Sequence, residues 1–144
     1  MSNQQNYKND RLQKYLSKAK EDRKDDFISV PADGEDWSIK RLTTLETRRV
    51  YELAYDEDGK PTSPFYTEVD VMIVKATEHE FDWNNKDLLK AYGATSKFEL
   101  PPRILDDADD YAALSKAVRN FKETQDSLLN DAKNSSGETE KRAG

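Results

Sequence analysis

Cysteine is absent from this sequence of 144 residues, which excludes disulfides, thiolate zinc sites and thiol nucleophiles. Long apolar runs are also missing. The longest covers only residues 71–74, whereas a membrane-spanning helix needs about 20 apolar residues. The polar N-terminal segment has no apolar run of the kind found in signal peptides. We therefore expect a cytoplasmic protein that has no contact with a membrane.

Glycine is scarce as well, with 5 residues in the chain. No GxxxxGKS/T loop, GxGxxG fingerprint or GxSxG nucleophile elbow occurs, so the glycine-rich motifs that bind phosphates or present a nucleophilic serine are missing. The sequence therefore predicts a protein that uses no cofactor.

The single histidine, His79, is the main candidate for acid–base chemistry. Its neighbours Glu78, Glu80 and Asp82 could supply oxygen ligands, but one imidazole with local carboxylates lacks the spaced nitrogen ligands of a transition-metal site. The acidic turn at residues 56–59 resembles the start of a calcium loop, yet the acidic residue needed further along is out of register. We predict no metal site and no enzyme. A small hydrolase that uses His79 is the catalytic alternative.

The charge balance is acidic, with 29 acidic and 23 basic residues and a net charge of −6. Such a field opposes approach to nucleic acid unless the basic residues cluster. A cluster exists near the N-terminus and consists of Lys8, Arg11, Lys14, Lys18, Lys20, Arg23 and Lys24. Because carboxylates are interspersed with these residues, we interpret the cluster as a solvated helix face and expect no nucleic-acid partner. A small regulatory or nucleic-acid-associated protein that uses the basic N-terminal helix is the alternative.

Length and composition indicate one folded domain with polar ends. The hydrophobic fraction of 35% is low beside the charged fraction of 36%, which is typical of a globular centre diluted by polar segments. We expect a polar N-terminal helical arm at 1–26, a single globular helical domain with a hairpin at 27–133, and a disordered tail at 134–144.

The N-terminal arm contains an amphipathic helix. Leu12, Tyr15, Leu16 and Ala19 follow the 3, 4, 7 spacing of one helix face. The stripe is narrow, and an isolated helix of this kind is marginal in water. We therefore expect the helix to dock on a partner.

One β-hairpin is predicted next. Phe27, Ile28 and Val30 form a strand that Pro31 should stop, and a turn-rich segment at 32–36 leads to a second strand around Trp37 and Ile39. The hairpin should pack on the helices that follow, because two strands alone are barely stable.

About four helices should follow the hairpin, which gives a mainly helical α+β fold. The first should begin with the capping box of Thr43 and Glu46. Its core stripe should comprise Leu45, Arg49 and Leu53, flanked by Val50 and Ala54. The second helix, the most apolar and central one, should present Phe65, Val69, Met72, Ile73 and Ala76.

The remaining helices have clear end signals. A short helix should run from Asn85 to a left-handed cap at Gly93. The capping-box spacing of Ser96 and Glu99 predicts a short turn before the two prolines at 101–102 break the chain. One long helix should then run from about residue 107 to about residue 133.

Three tyrosines, Tyr51, Tyr55 and Tyr66, flank polar positions, and those that are exposed are candidates for the centre of a protein-binding patch. The alternative is that they are ordinary, partly buried tyrosines. The residues for which we predict protein contacts are Tyr51 and Tyr55, together with Leu12, Tyr15 and Leu16 of the N-terminal helix.

The order of several short motifs resembles a known family. The motifs are WSIKRLT at 37–43, VMIVKAT at 71–77, FDWNN at 81–85, DLL at 87–89, YGA at 92–94, LP at 100–101, IL at 104–105 and DY at 110–111. This arrangement is similar to the XkdN-like tail assembly chaperones of phages and prophages of Gram-positive bacteria. The resemblance covers residues 27–130.

The resemblance implies a non-catalytic protein that binds the tape measure protein and keeps it soluble during tail assembly. Tail tube subunits would then displace it, so the tail tube protein is a second expected partner, and self-association is expected too. The resemblance places the protein in the host cell cytoplasm and leaves it out of the mature virion.

Overall fold

The structure is a computed structural model that describes the backbone of residues 2–143 and the side chains of residues 7–134. This part of the chain forms helices, a 3₁₀ turn and a two-stranded antiparallel hairpin, in the order α1 (Ser2–Lys20), β1 (Phe27–Ala32), β2 (Glu35–Lys40), α2 (Thr44–Ala54), α3 (Glu68–Thr77), α4 (Lys86–Ala91), the 3₁₀ turn (Lys97–Glu99), α5 (Pro101–Ile104), α6 (Ala108–Arg119) and α7 (Phe121–Ala143). The mainly helical α+β class is confirmed. Six helices follow the hairpin, where the sequence predicts about four. Within the described residues, no helix is both long and apolar enough to cross a membrane.

The hairpin turns at Asp33 and Gly34, which both have positive φ angles, 55° and 72°. Two such residues define the type I′ turn that matches the twist of paired strands. The prediction that Pro31 stops the strand is wrong, because Pro31 pairs with Asp36 inside the hairpin. Ala32 and Glu35, which flank the turn, form a hydrogen-bonded pair. Hydrogen-bonded and non-hydrogen-bonded pairs alternate in an antiparallel ladder, so the pair of Pro31 and Asp36 does not need the N–H that proline lacks.

The inner face of the hairpin packs on α3 and α6 and closes the core. Its buried side chains are Ile28, Val30, Ala32, Trp37 and Ile39. Helix α3 lies at the centre of the fold, as predicted, and contacts α2, α5, α6, β2 and the 3₁₀ turn. Val71, Ile73 and Val74 of α3 have no exposed surface, and each stabilises the fold by about 2 kcal/mol through burial.

Two predictions of core positions are wrong. Leu45 of α2 is 72% exposed and Arg49 is also exposed, whereas Val50 and Ala54 are buried. The buried face of α2 is therefore rotated relative to the predicted one, because the position of α3 decides which face of α2 is covered. Phe65 is 62% exposed and precedes α3.

Helix ends are well fixed by side chains. The capping box of Thr43 and Glu46 begins α2, as predicted. At α3, the carboxylate of Asp70 accepts hydrogen bonds from the N–H and the hydroxyl of Thr67, at 2.8 and 3.1 Å. Gly93 ends α4 with φ 62°, and the N–H groups of Gly93 and Ala94 donate to the carbonyls of Lys90 and Leu89. This is the Schellman arrangement that favours glycine.

The C-terminal half differs from the expectation in two places. Pro101 and Pro102 begin α5 at its first positions, where proline is tolerated, instead of breaking the chain. The long helix expected at 107–133 is divided at Asn120, whose φ of −127° and ψ of 58° are not helical. Helix α7 also runs to Ala143, which differs from the disordered tail expected at 134–144; the side chains from residue 135 onward lie outside the described residues.

Candidate protein-interaction surfaces

Helix α1 presents an uncovered apolar stripe. Leu12 and Tyr15 are each 54% exposed and Leu16 is 48% exposed, and every described side chain of α1 is exposed. Leu12 and Tyr15 share one shallow surface with Tyr7, Lys8 and Arg11. The sequence prediction places these residues on one helix face correctly, and the structure leaves that face free of the rest of the chain.

The charge of α1 is opposite to that of the remaining chain. Residues 1–20 contain five basic residues and one acidic residue, a net charge of +4, which leaves −10 for residues 21–144. One of the cations, Lys14, lies with its Nζ 5.5 Å from the centroid of the Tyr15 ring, a cation–π distance. The stripe is thus an apolar surface with positive borders.

The second surface, which we call the tyrosine patch, consists of Tyr51, Glu52, Tyr55, Asp56 and Glu57. The two rings stack one helical turn apart, with centroids 6.2 Å apart and planes inclined by 22°. Tyr51 is 48% exposed, while Tyr55 is half-buried. The structure therefore brings the two predicted tyrosines together and surrounds them with carboxylates.

Hydrogen bonds fix the patch in place. The Tyr55 hydroxyl donates to the carboxylate of Glu68 at 3.0 Å, and that hydrogen bond and the negative charge of Glu68 raise the pKa of Tyr55. In the adjoining loop, Oδ1 of Asp56 accepts the N–H groups of Asp58 and Lys60, both at 2.9 Å. The acidic loop is therefore an ordered turn. In the described residues no cluster of carboxylates and histidine has the arrangement of a metal site.

The third surface is a groove of about 550 Å³ where α2, α3 and the α6–α7 junction meet. Apolar side chains of Leu42, Met72, Val118 and Phe121 line it. We call this surface the junction groove. The sequence did not reveal it, because the groove depends on the break at Asn120, which looks like continuous helix in the sequence.

The rim of the junction groove is charged. It carries the cations Arg41, Arg119 and Lys122 and the carboxylates Glu68 and Glu123. The guanidinium of Arg41 lies 5.9 Å from the centroid of the Phe121 ring. Apolar lining residues with three cations on the rim are suited to an amphipathic helix that carries acidic residues beside its apolar stripe.

His79, the catalytic candidate, has ordinary structural contacts. Its Nε2 lies 3.0 Å from the hydroxyl of Ser38, and its ring meets the edge of Phe27 with centroids 5.0 Å apart. The neighbouring Glu80 accepts the N–H of Ser38 at 2.7 Å. The segment after α3 is thereby attached to β2. His79 is itself exposed and borders an open cavity of about 500 Å³ that Glu78, Asp82 and Lys97 also line.

Comparison with known proteins found no matching protein family, no similar curated protein and no similar solved structure.

Proposed function

We propose that this protein is a phage tail assembly chaperone that binds helical segments of the tape measure protein and has no catalytic activity. The observation that carries the proposal is the junction groove, in which the partly exposed Leu42 and Met72 are bordered by Arg41, Arg119 and Lys122. The order of the motifs between residues 27 and 130, which resembles the XkdN-like chaperones, is the second support.

The chemistry of the groove suits such a partner. A tape measure protein exposes long helices with apolar surface, which aggregate unless another protein covers them. An amphipathic helix in the groove would place its apolar side chains against Leu42 and Met72 and acidic residues against the cations of the rim. The acidic remainder of the chaperone, with a net charge of −10 over residues 21–144, would keep the complex in solution.

Binding must be reversible, because tail tube subunits replace the chaperone during assembly. The groove is shallow and its rim is exposed, so its ion pairs would contribute little individually. Several weak contacts along a helix allow displacement more easily than one tight anchor. In this proposal the protein acts in the host cytoplasm, contacts the tape measure and tail tube proteins, and is absent from the mature virion.

Co-expression with the tape measure protein of the same genome tests the proposal. Size exclusion with light scattering should reveal a soluble complex that contains many copies of this chain. Arg119→Glu combined with Lys122→Glu should reduce the amount of tape measure protein recovered in solution. Lys90→Glu with Lys133→Glu is the matched control, since both lysines are exposed and neither lines the groove. A tape measure protein that stays insoluble with the unaltered chain would overturn the proposal.

A second candidate function is association with nucleic acid through α1, which the net charge of +4 over residues 1–20 favours. Phosphate contacts would make such binding strongly dependent on salt. Fluorescence anisotropy with labelled duplex DNA at increasing NaCl tests it directly. Binding that is strong at low salt and lost with Lys8→Glu and Arg11→Glu would support this alternative, whereas no binding at low salt would eliminate it.

A further inference from the structure

Helix α1 and the tyrosine patch are complementary surfaces that are both uncovered in the same chain. The stripe of α1 is apolar with positive borders, and the patch is aromatic with three carboxylates around it. We propose that α1 of one copy of this chain docks on the tyrosine patch of a second copy. The inference does not require the proposed chaperone function, because it concerns contacts between copies of this chain, although Tyr51 lines both the tyrosine patch and the junction groove.

The two surfaces carry opposite charges. Lys8 and Arg11 lie on the same shallow surface as Leu12 and Tyr15. On the patch, Glu52 and Glu57 are exposed beside the tyrosine rings. Opposite charges around two apolar centres fix the orientation of docking and speed association. The same charges oppose contact between two α1 helices or between two patches.

The stripe of α1 is longer than the pair of tyrosines, and the loop beside the tyrosines lengthens the acceptor surface. From Lys8 to Leu16 the stripe extends about 12 Å along the helix axis. Tyr51 and Tyr55 cover one helical turn, about 6 Å, and the ordered loop at residues 56–59 continues the patch. Stacked tyrosines are typical anchors of protein interfaces because they bury a large area and lose little conformational entropy.

Helix α1 also needs a covering surface. All its described side chains are exposed, and an amphipathic helix without tertiary contacts is marginal in water. The segment that joins α1 to β1 is short, and its Arg23 lies 3.6 Å from the carboxylate of Glu46 at the start of α2. Because its own chain leaves every described side chain of α1 exposed, the tyrosine patch of a second copy can cover the stripe.

The contact between α1 and the patch determines how copies of the chain assemble. Donor and acceptor surfaces are different parts of the chain, so two copies that exchange α1 helices reciprocally form a closed dimer. Copies that do not exchange reciprocally form a ring or an open chain. Both arrangements use the same contact, and both are assemblies of the full chain alone.

Charge reversal on each surface tests the contact. Sedimentation velocity and light scattering would be measured over a concentration series for the unaltered chain, for Lys8→Glu with Arg11→Glu, and for Glu52→Lys with Glu57→Lys. Each double variant alone should self-associate about tenfold more weakly, since it brings like charges together. An equimolar mixture of the two variants should recover association, because the reversed charges on α1 of one variant then meet the reversed charges on the patch of the other.

Matched controls separate the contact from net charge. Lys90→Glu with Lys133→Glu and Glu35→Lys with Asp131→Lys make the same charge changes at exposed positions outside both surfaces, and should leave association unchanged. Circular dichroism checks that every variant is folded. The proposal is overturned if the unaltered chain is a monomer at all concentrations, as it would be if α1 folded back on its own patch. It is equally overturned if the mixture of variants fails to associate.

Discussion

The hydroxyl of Tyr111 on α6 donates a hydrogen bond to Oδ1 of Asp70 on α3, 2.5 Å away. Asp70 is 2% exposed, and its other oxygen accepts from Thr67 at the start of the same helix. The carboxylate of Asp70 therefore caps α3, the central helix, and also joins α3 to α6. A buried carboxylate is tolerated only when such partners satisfy it.

Replacing Tyr111 with phenylalanine should lower the free energy of unfolding by about 2 kcal/mol, because a buried charged acceptor loses a donor. Urea unfolding monitored by tryptophan fluorescence measures the change. Tyr92→Phe is the control, since Tyr92 is 42% exposed and the variant should be as stable as the unaltered chain. Equal stability of the two variants would mean that the contact between Tyr111 and Asp70 contributes nothing.

Alkaline pH should act on the same contact. Burial and the hydrogen bond to Asp70 raise the pKa of Tyr111 from 10 to about 12. The folded state therefore binds the phenolic proton more tightly than the unfolded state. The stabilisation is complete below pH 10 and is lost as the pH rises from 10 to 12. Unfolding free energy measured across this window should fall less steeply for Tyr111→Phe than for the unaltered chain, and parallel slopes would contradict the assignment.

Acidic pH should act on Glu99, which is 4% exposed. Burial by itself raises the pKa of Glu99, but hydrogen bonds from Thr95 and Ser96 and the charge of Arg103 outweigh it, so the pKa is lowered below 4.5. Its contribution to stability is therefore present above pH 4.5 and is lost as the pH falls through the lowered pKa.

Glu99→Gln should consequently be less stable than the unaltered chain at pH 7, and the difference should shrink as the pH falls below 4.5. Urea unfolding at pH 7 and at pH 3 measures both differences. Glu123→Gln, at an exposed position of α7, is the control and should change stability at neither pH. A constant difference for Glu99→Gln between the two conditions would rule out a role for its charge.

The features that sequence reasoning predicted correctly are local ones. The capping residues Thr43 and Ser96 and the left-handed residue Gly93 act within a few positions of their partners, so spacing alone identifies them. The stripe at Leu12, Tyr15 and Leu16 is equally local, since one helix defines it. These residues supply half of the contact proposed between copies.

The features that were missed depend on contacts between distant segments. Leu45 and Val50 are both apolar, and only the position of α3 decides that Val50 is buried while Leu45 faces solvent. Asn120 lies in a sequence with continuous helical character, and the chain bends there because Phe121 turns into the core, where it is 7% exposed. The junction groove follows from that bend, so helical periodicity could not reveal it.

The turn of the hairpin gives a last prediction, because its geometry depends on one residue without a side chain. Gly34 has a φ of 72°, and although a Cβ at this position would meet no atom within 4 Å, the left-handed backbone itself is unfavourable for alanine. Gly34→Ala should lower the free energy of unfolding by about 1 kcal/mol, measured by urea unfolding. Asp33→Asn is the control, since asparagine followed by glycine also favours the type I′ turn. If Gly34→Ala were as stable as the control, the register that places Trp37 opposite Val30 would not depend on this turn.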